Sequence, residues 1–187
     1  MIRNSASDYR VEIIGYLNED GPSSIYNKLS IPYLGKVSEA NIDTQVKYWI
    51  TELNSAKRLK LTEFVAGAGG RFFSFFDSSA VIGNFVTFGE GVIIGSNTYI
   101  GDYSHVGSFS IIFNDSLIRR NVSIGLFCQI GSNSIIDKGV TIGDGNLLGK
   151  NTYLKSLEYP KYNDFEEFVL NNSDFINSKM TFNLSLN

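Results

Sequence analysis

Residues 81–107 read VIGNFVTFGEGVIIGSNTYIGDYSHVG, and in this stretch an apolar residue returns at every sixth position. The same spacing runs without interruption through a longer segment, Ser79 to Leu154. The segment contains thirteen such apolar positions: Ile82, Phe88, Ile94, Ile100, Val106, Ile112, Ile118, Ile124, Ile130, Ile136, Ile142, Leu148 and Leu154. A period of six fits neither an amphipathic helix nor a simple hairpin sheet. It indicates hexapeptide repeats, which form a parallel β-helix.

Each repeat also has a regular internal pattern. Glycine follows the apolar residue in nine of the repeats: Gly83, Gly89, Gly95, Gly101, Gly107, Gly125, Gly131, Gly143 and Gly149. The residue two positions before the apolar one is mostly small, and the residue three positions after it is often Gly or Asn, which tolerate a positive φ at a tight corner. We therefore expect triangular coils of three repeats, with the apolar and small residues pointing inward. Coils stacked at roughly 4.8 Å would place residues that are 18 positions apart in columns.

The composition limits the classes of function. A chain of 187 residues suits a small domain joined to a solenoid. Its net charge of −3 gives no basic field for nucleic acid or an anionic membrane. No apolar run is long enough to cross a bilayer and no signal-peptide core is present, so we expect a cytoplasmic protein without membrane insertion. Cys128 falls at an inward position and is expected in the core, and we predict no metal site.

The segments around the repeats predict further elements. A strand over Val11–Leu17, an extended element over Ile31–Gly35, a strand over Val46–Thr51, a helix over Ser55–Phe64 and a strand over Arg71–Phe76 make a small α/β unit. The glycine-rich run of residues 67–70 is interpreted as the C-terminal cap of that helix. After the repeats, a short helix over 164–170 and a strand over 180–186 are expected to cover the end of the solenoid. The predicted regions are therefore 1–77, 78–155 and 156–187.

Four stretches resemble the bacterial sugar acetyltransferases that acylate sialic acid or UDP-linked amino sugars for surface glycans. They are IIGYLNED (13–20), IPYLGKV (31–37), FFDSSAVIG (75–83) and KGVTIGDGNLLG (138–149). The resemblance implies a mainly β fold, a left-handed parallel β-helix with a small α/β N-terminal domain and a short C-terminal cap. It also implies a homotrimer that transfers an acetyl group from acetyl-CoA to a sugar or nucleotide sugar. The N-terminal domain is expected to be truncated, because the family opens with a strand and a Gly-rich phosphate-binding turn.

The residues at the family's catalytic corner differ in this sequence. The family carries a His, the general base, followed by an acidic residue that orients it. Arg120 and Asn121 take those two positions here, and a guanidinium stays protonated and cannot act as a base. Gln129 replaces a second histidine that is common nearby in the family. The resemblance therefore implies either an acetyltransferase with a non-standard site or a catalytically inactive trimeric homologue with a structural or regulatory role.

His105, the single histidine, is the candidate catalytic residue. Its register predicts that it points outward, in a column with Thr87, Ser123 and Thr141. One interpretation is a base or coenzyme contact displaced by one coil from the family's position. The alternative is a solvent-facing strand residue.

A second set of residues is a candidate site for a substrate or cofactor. Arg119, Arg120 and Lys138 share one corner and are candidates for binding the phosphates of a nucleotide or coenzyme. Asn121 and Gln129 join this set because they occupy the family's site positions. The alternative is a charged corner that keeps the edge soluble, with an ion pair between Asp102 and Arg120 on adjacent coils.

Overall fold

The computed structural model describes residues 12–155. Before the repeats it contains β1 (Tyr16–Leu17), α1 (Ser24–Lys28), β2 (Tyr33–Gly35), a single 3-10 turn (Val37–Glu39), β3 (Lys47–Tyr48), α2 (Ser55–Gly67) and β4 (Arg71–Phe72). Strand β1 pairs in parallel with β2, and β3 pairs in parallel with β4. The N-terminal part is thus a small α/β unit of two short parallel ladders and two helices. The predicted helix and strand of the C-terminal cap lie outside the described residues.

Helix α2 has the ends that its sequence predicts. The Asn54 side chain accepts a hydrogen bond from the Lys57 N–H at 3.0 Å, which caps the first turn. At the other end, the Gly70 N–H donates to the Val65 carbonyl at 2.9 Å, and the Gly69 backbone has a φ of +79°. This six-residue closure with a left-handed residue is a Schellman motif. The interpretation of residues 67–70 as a C-terminal cap is confirmed.

Three strand predictions were wrong in extent, and the one over Val46–Thr51 is limited to Lys47–Tyr48. The predicted buried strand over residues 11–17 is limited to Tyr16–Leu17 where it is described, and Ile13 and Ile14 are 52% and 54% exposed. The predicted single strand over residues 71–76 is two strands, because β4 pairs with β3 whereas β5 (Phe75–Phe76) pairs with Ile93–Ile94. Pairing within the solenoid therefore starts at Phe75, and the predicted division at residue 78 stays a prediction.

The repeats form a parallel β-helix with three faces, and every predicted apolar position ends a two-residue strand. The apolar face, named for its outward side chains, comprises β6 (Val81–Ile82), β9 (Tyr99–Ile100), β12 (Leu117–Ile118), β15 (Ile135–Ile136) and β18 (Tyr153–Leu154). The polar face comprises β7 (Thr87–Phe88), β10 (His105–Val106), β13 (Ser123–Ile124) and β16 (Thr141–Ile142). The covered face comprises β5, β8 (Ile93–Ile94), β11 (Ile111–Ile112), β14 (Gln129–Ile130) and β17 (Leu147–Leu148). All neighbours pair in register at an offset of 18 residues.

The interior of the prism is a column of buried isoleucines with satisfied hydroxyls between them. Ile94, Ile112 and Ile130 have no exposed surface. The inward Ser104 hydroxyl donates to the Arg119 carbonyl at 3.0 Å and accepts from the Val122 N–H at 3.2 Å, so burying it leaves no polar group unpaired. Cys128 is fully buried as predicted, and burial raises the pKa of its thiol to about 11.

Corner residues three positions after the apolar residue have a left-handed backbone, as predicted. Besides Gly and Asn, five other residues take this conformation, with φ between 54° and 60°: Phe85, Tyr103, Phe109, Asp115 and Phe127. A bulky residue in this region is uncommon and costs free energy. The four aromatic ones form two pairs, each joining successive coils, on two different edges of the prism.

One pair anchors the N-terminal unit at the covered edge, which comprises the corners at residues 89–92, 107–110, 125–128 and 143–146. The Phe109 and Phe127 rings stack at 5.1 Å, and Phe109 meets Phe72 edge-on at 4.8 Å. Ile42 and Val65 belong to the same buried cluster. Gly91 in the preceding coil leaves room for the Phe109 ring, which a Cβ at that position would strike.

Arg58 of α2 completes this docking. Its Nε donates to the Phe109 carbonyl at 2.9 Å and its Nη2 donates to the Phe127 carbonyl at 2.9 Å. Its Nη1 donates to the Glu52 and Leu53 carbonyls at 2.7 and 3.0 Å. The residue is 1% exposed, and desolvation lowers the pKa of the guanidinium. A charge held by four carbonyls therefore fixes the helix to the solenoid.

Candidate functional site

The edge between the apolar and polar faces, which we call the open edge, comprises the corners at residues 83–86, 101–104, 119–122 and 137–140. A shallow depression of about 350 Å³ lies beside this edge. Its lining residues are Tyr99, Asp102, Arg119, Arg120 and Lys138. The structure therefore brings together the three cations that the sequence analysis selected, with one carboxylate, Asp102, among the lining residues. Such a surface favours an anionic ligand.

The ion pair at this edge is not the predicted one. Arg119 Nη1 lies 3.6 Å from Asp137 Oδ1. The predicted pair between Asp102 and Arg120 is absent among residues 12–155, because the Asp102 carboxylate instead accepts the Asn84 N–H at 2.7 Å. The pair forms in the adjacent column, in which the two earlier coils carry Gly83 and Gly101 and the two later coils carry Arg119 and Asp137.

The other cations of the depression have no carboxylate partner within the part of the chain that the structure describes. Arg120 and Lys138 both take part in no ion pair there, and both are exposed. Their position is fixed by the corner backbone and not by a salt bridge. They remain available to an anionic ligand.

The two remaining predicted binding residues are in different places. Asn121 lies on the open edge with a φ of 57°, and its N–H donates to the Asp102 carbonyl at 2.9 Å, so it holds the corner next to the depression. Gln129 lies on the covered face, on the opposite side of the prism. Its Oε1 is buried without a hydrogen-bond partner among the described residues. The structure does not bring Gln129 together with the cations.

His105 is exposed on the polar face, in the predicted column between Thr87 and Ser123. It follows the open-edge residue Tyr103 by two positions, which is roughly 7 Å of extended chain. Its Nδ1 lies 2.9 Å from the Thr87 hydroxyl oxygen. When Nδ1 carries the proton and donates to that hydroxyl, the Nε2 lone pair is left free to accept a proton.

Sequence reasoning missed the aromatic residues of the site. Tyr99 lines the depression. Its outward register, in the strand just before the corner that holds Asp102, could have predicted this position. Phe85 and Tyr103 are 73% and 62% exposed, and their rings stack at 5.0 Å with an interplanar angle of 14°. The sequence could have indicated this pair, because two aromatic residues 18 positions apart occupy corner positions where Asn or Gly is usual.

Between residues 12 and 155 the structure supports neither a metal site nor a membrane-spanning helix. No cluster of three or more His, Cys, Asp or Glu side chains is placed to hold a metal ion there. Neither of the helices in that range is long and apolar enough to cross a membrane.

Comparison with known proteins places this geometry in a class. Residues 79–114 match the family of bacterial transferase hexapeptide repeats (six repeats). No curated protein sequence matches the chain. The fold is similar to that of the acetyltransferase domain of PglB from Neisseria gonorrhoeae, with a TM-score of 0.57 and 15% identity over 75% of this chain and 78% of that one. That domain has also been solved in complex with acetyl coenzyme A.

A second similar structure is a mutant of GDP-perosamine N-acetyl transferase from Caulobacter crescentus in complex with CoA and GDP-perosamine. The TM-score is 0.58 and the identity 18%, over 75% of this chain and 76% of that one. At these identities the likeness establishes the fold. The chain is a left-handed parallel β-helix of hexapeptide repeats, as the sequence resemblance implied, and the two similar structures are an acetyltransferase domain and a GDP-perosamine N-acetyltransferase.

Proposed function

We propose that this protein transfers an acetyl group from acetyl-CoA to an amine or hydroxyl of a sugar or nucleotide sugar, in the cytoplasm, for bacterial surface glycans. The observation that carries the proposal is the cationic depression at the open edge, together with the exposed His105 on the adjoining polar face. The structural neighbours support it, because one is complexed with acetyl coenzyme A and another with CoA and a nucleotide sugar.

In the proposed reaction His105 is the general base. Its Nε2 takes a proton from the acceptor nitrogen or oxygen as that atom attacks the thioester carbonyl. The tetrahedral intermediate then collapses, the carbon–sulfur bond breaks, and the leaving thiolate takes the proton back from the imidazolium. The Thr87 hydroxyl, 2.9 Å from Nδ1, accepts the Nδ1–H in this proposal, which leaves the Nε2 lone pair to act as the base.

The cations of the depression bind phosphate in this proposal. Arg119 and Arg120 offer forked donors that suit phosphate oxygens, and Lys138 adds a point charge. Asn121 lies at the rim with an exposed side chain and can add a hydrogen bond. Gln129 has no part in this site, because it lies on the opposite face.

The protein is proposed to be a homotrimer. The outward column of the apolar face is hydrophobic throughout: Val81, Tyr99, Leu117, Ile135 and Tyr153. Val81 is 57% exposed and Tyr153 is 48% exposed, whereas on the covered face Ile111 is 3% exposed. A continuous apolar face on one side of a soluble prism favours burial against other copies. A subunit packed there would form one wall of the depression.

Light scattering tests the assembly. Replacing Ile135 with Lys on the apolar face should convert a trimer into monomers, because it buries a charge in the interface. Thr141→Lys, which places the same charge on the polar face, should leave the trimer intact. A wild-type monomer would exclude a site shared between subunits.

Calorimetry and a thiol-release assay test the activity. The wild type should bind acetyl-CoA, and His105→Gln should lower kcat on UDP-linked amino sugars about 100-fold or more without weakening that binding. Arg120→Gln should weaken acetyl-CoA binding about tenfold, because it removes a charged phosphate contact. Ser123→Ala, next to His105 on the polar face, is the matched control and should behave as the wild type.

The alternative function is a catalytically inactive trimeric homologue with a structural or regulatory role. The observation that favours it is the pair Arg120–Asn121, which cannot replace the family's base and acid. Two results would support this alternative: no binding of acetyl-CoA at millimolar concentration, or no acetyl transfer by the wild type. Full activity in His105→Gln would contradict it and would exclude His105 as the base.

A further inference from the structure

The open edge changes character along the axis of the prism. In the column of left-handed corner residues, the first two positions are aromatic, Phe85 and Tyr103, and the next two are small, Asn121 and Gly139. In the column immediately before it, Arg120 and Lys138 occupy the coils that have the small residues. Exposed rings on the earlier coils thus meet exposed cations on the later ones.

The ring stack at this edge is incomplete. Phe85 covers one face of the Tyr103 ring, at 5.0 Å between centroids. The other face points toward the following coil, where Asn121 is too small to continue the stack, and Tyr103 remains 62% exposed. Coils are spaced at roughly 4.8 Å, so a planar ring of a ligand would find there the space that a third aromatic residue would occupy.

We propose that the open edge is a nucleotide site in which a base stacks on the free face of Tyr103 and a diphosphate contacts Arg119, Arg120 and Lys138. Aromatic faces accept any base, and guanidinium groups accept phosphate oxygens, so both halves of the ligand have a matching surface. The base would lie level with Asn121 and Arg120, and Lys138 lies one coil further on. A nucleoside diphosphate, with its phosphates one ribose away from the base, spans this arrangement.

This inference deepens the proposed function, because it uses the same phosphate-binding cations. The shared chemistry is a base that carries a diphosphate, and it has two sources in the proposed reaction. One source is the adenosine part of coenzyme A, and the other is the nucleotide of the sugar substrate. Stronger binding of ADP and coenzyme A assigns the edge to the acyl donor, whereas stronger binding of UDP or GDP assigns it to the acceptor.

Calorimetry and ligand-observed NMR with ADP, coenzyme A, UDP, GDP and inorganic pyrophosphate test the site. Tyr103→Asn is the main variant, because this register position accepts Asn with a positive φ at residues 97, 121, 133 and 151. It should weaken nucleoside diphosphates about fivefold or more and leave pyrophosphate unchanged. Tyr103→Phe keeps the ring and should stay within about twofold of the wild type. Arg120→Gln should weaken both kinds of ligand.

Base protons of the bound nucleotide should also shift upfield in the wild type and lose this shift in Tyr103→Asn, since only a stacked ring produces it. The inference is overturned if Tyr103→Asn binds nucleotides as the wild type does, or if the wild type binds pyrophosphate as tightly as it binds nucleotides. Loss of acetyl transfer with nucleotide binding retained would count against the proposed function alone. Intact acetyl transfer with Tyr103 irrelevant to binding would count against this inference alone.

Discussion

Two edges of the prism carry the same unusual feature and differ in what surrounds it. Each has an aromatic pair in a left-handed backbone, and Phe85 on the open edge and Phe109 on the covered edge share a φ of 58°. Phe109 is 6% exposed, whereas Phe85 is 73% exposed. The two residues have the same backbone conformation, but one side chain is buried and the other is exposed.

On the covered edge the aromatic pair has a structural role, whereas on the open edge the protomer alone does not explain it. A left-handed backbone costs an ordinary residue about 1–2 kcal/mol. On the covered edge, burial against Phe72 and the contacts of Arg58 offset this cost. On the open edge the described residues provide only the stacking of the two rings. A ligand or another subunit is therefore the natural complement of Phe85 and Tyr103.

The largest expected effect comes from uncovering the covered edge. Arg58→Met should lower the free energy of unfolding by about 3 kcal/mol, because it leaves buried carbonyls without donors. Urea unfolding measures this loss. Lys57→Met, at the neighbouring exposed position of α2, is the control and should change stability by less than about 0.5 kcal/mol.

Limited proteolysis extends this test. If Arg58 docks the N-terminal unit onto the solenoid, residues 12–72 should be cleaved faster in Arg58→Met while the repeats stay resistant. Unchanged proteolysis would show that the aromatic cluster alone holds the unit.

An effect of similar or smaller size is expected from shortening the covered aromatic pair. Phe109→Asn keeps a residue type that tolerates the corner but loses the contacts with Phe72 and Phe127. The loss of a buried aromatic, about 3–5 kcal/mol, is reduced by about 1 kcal/mol of relieved strain, so we expect a destabilisation of about 2–4 kcal/mol. Thermal or urea unfolding measures it. A cost below 1 kcal/mol would mean that burial of Phe109 does not compensate its backbone.

The sequence predicted the solenoid because its period states the geometry directly. Every predicted apolar position ends a strand, and Cys128 lies in the core. The six-residue register determines which side chains of each repeat point inward. The N-terminal strands were predicted less well. Their pairing depends on partners distant in sequence, such as β4 with β3, and a run like RFFSFF does not show where one strand ends.

The candidate site was predictable as a set of columns and not as a set of contacts. Columns placed Arg119, Arg120 and Lys138 together, and His105 beside Thr87. They did not show that Arg119 pairs with Asp137, because two adjacent columns each offer an arginine and a carboxylate 18 positions apart. The offset alone does not determine whether Arg119 with Asp137 or Asp102 with Arg120 forms the ion pair. Gln129 was selected by its position in a resemblance, and the triangular section puts it on the opposite face.

The smallest expected effect is also the sharpest test of the comparison. Phe85→Asn should change the free energy of unfolding of the protomer by less than about 0.5 kcal/mol, because the stacking it loses, about 0.5–1.5 kcal/mol, is matched by about 1 kcal/mol of relieved strain. Because Phe85 and Phe109 have the same φ, the difference between Phe85→Asn and Phe109→Asn isolates the contribution of burial. Unfolding should be measured both in the wild-type background and in Ile135→Lys. A cost of about 2 kcal/mol that appears only in the wild-type background would show that a neighbouring subunit covers Phe85. The same cost in both backgrounds would contradict the distinction between the two edges.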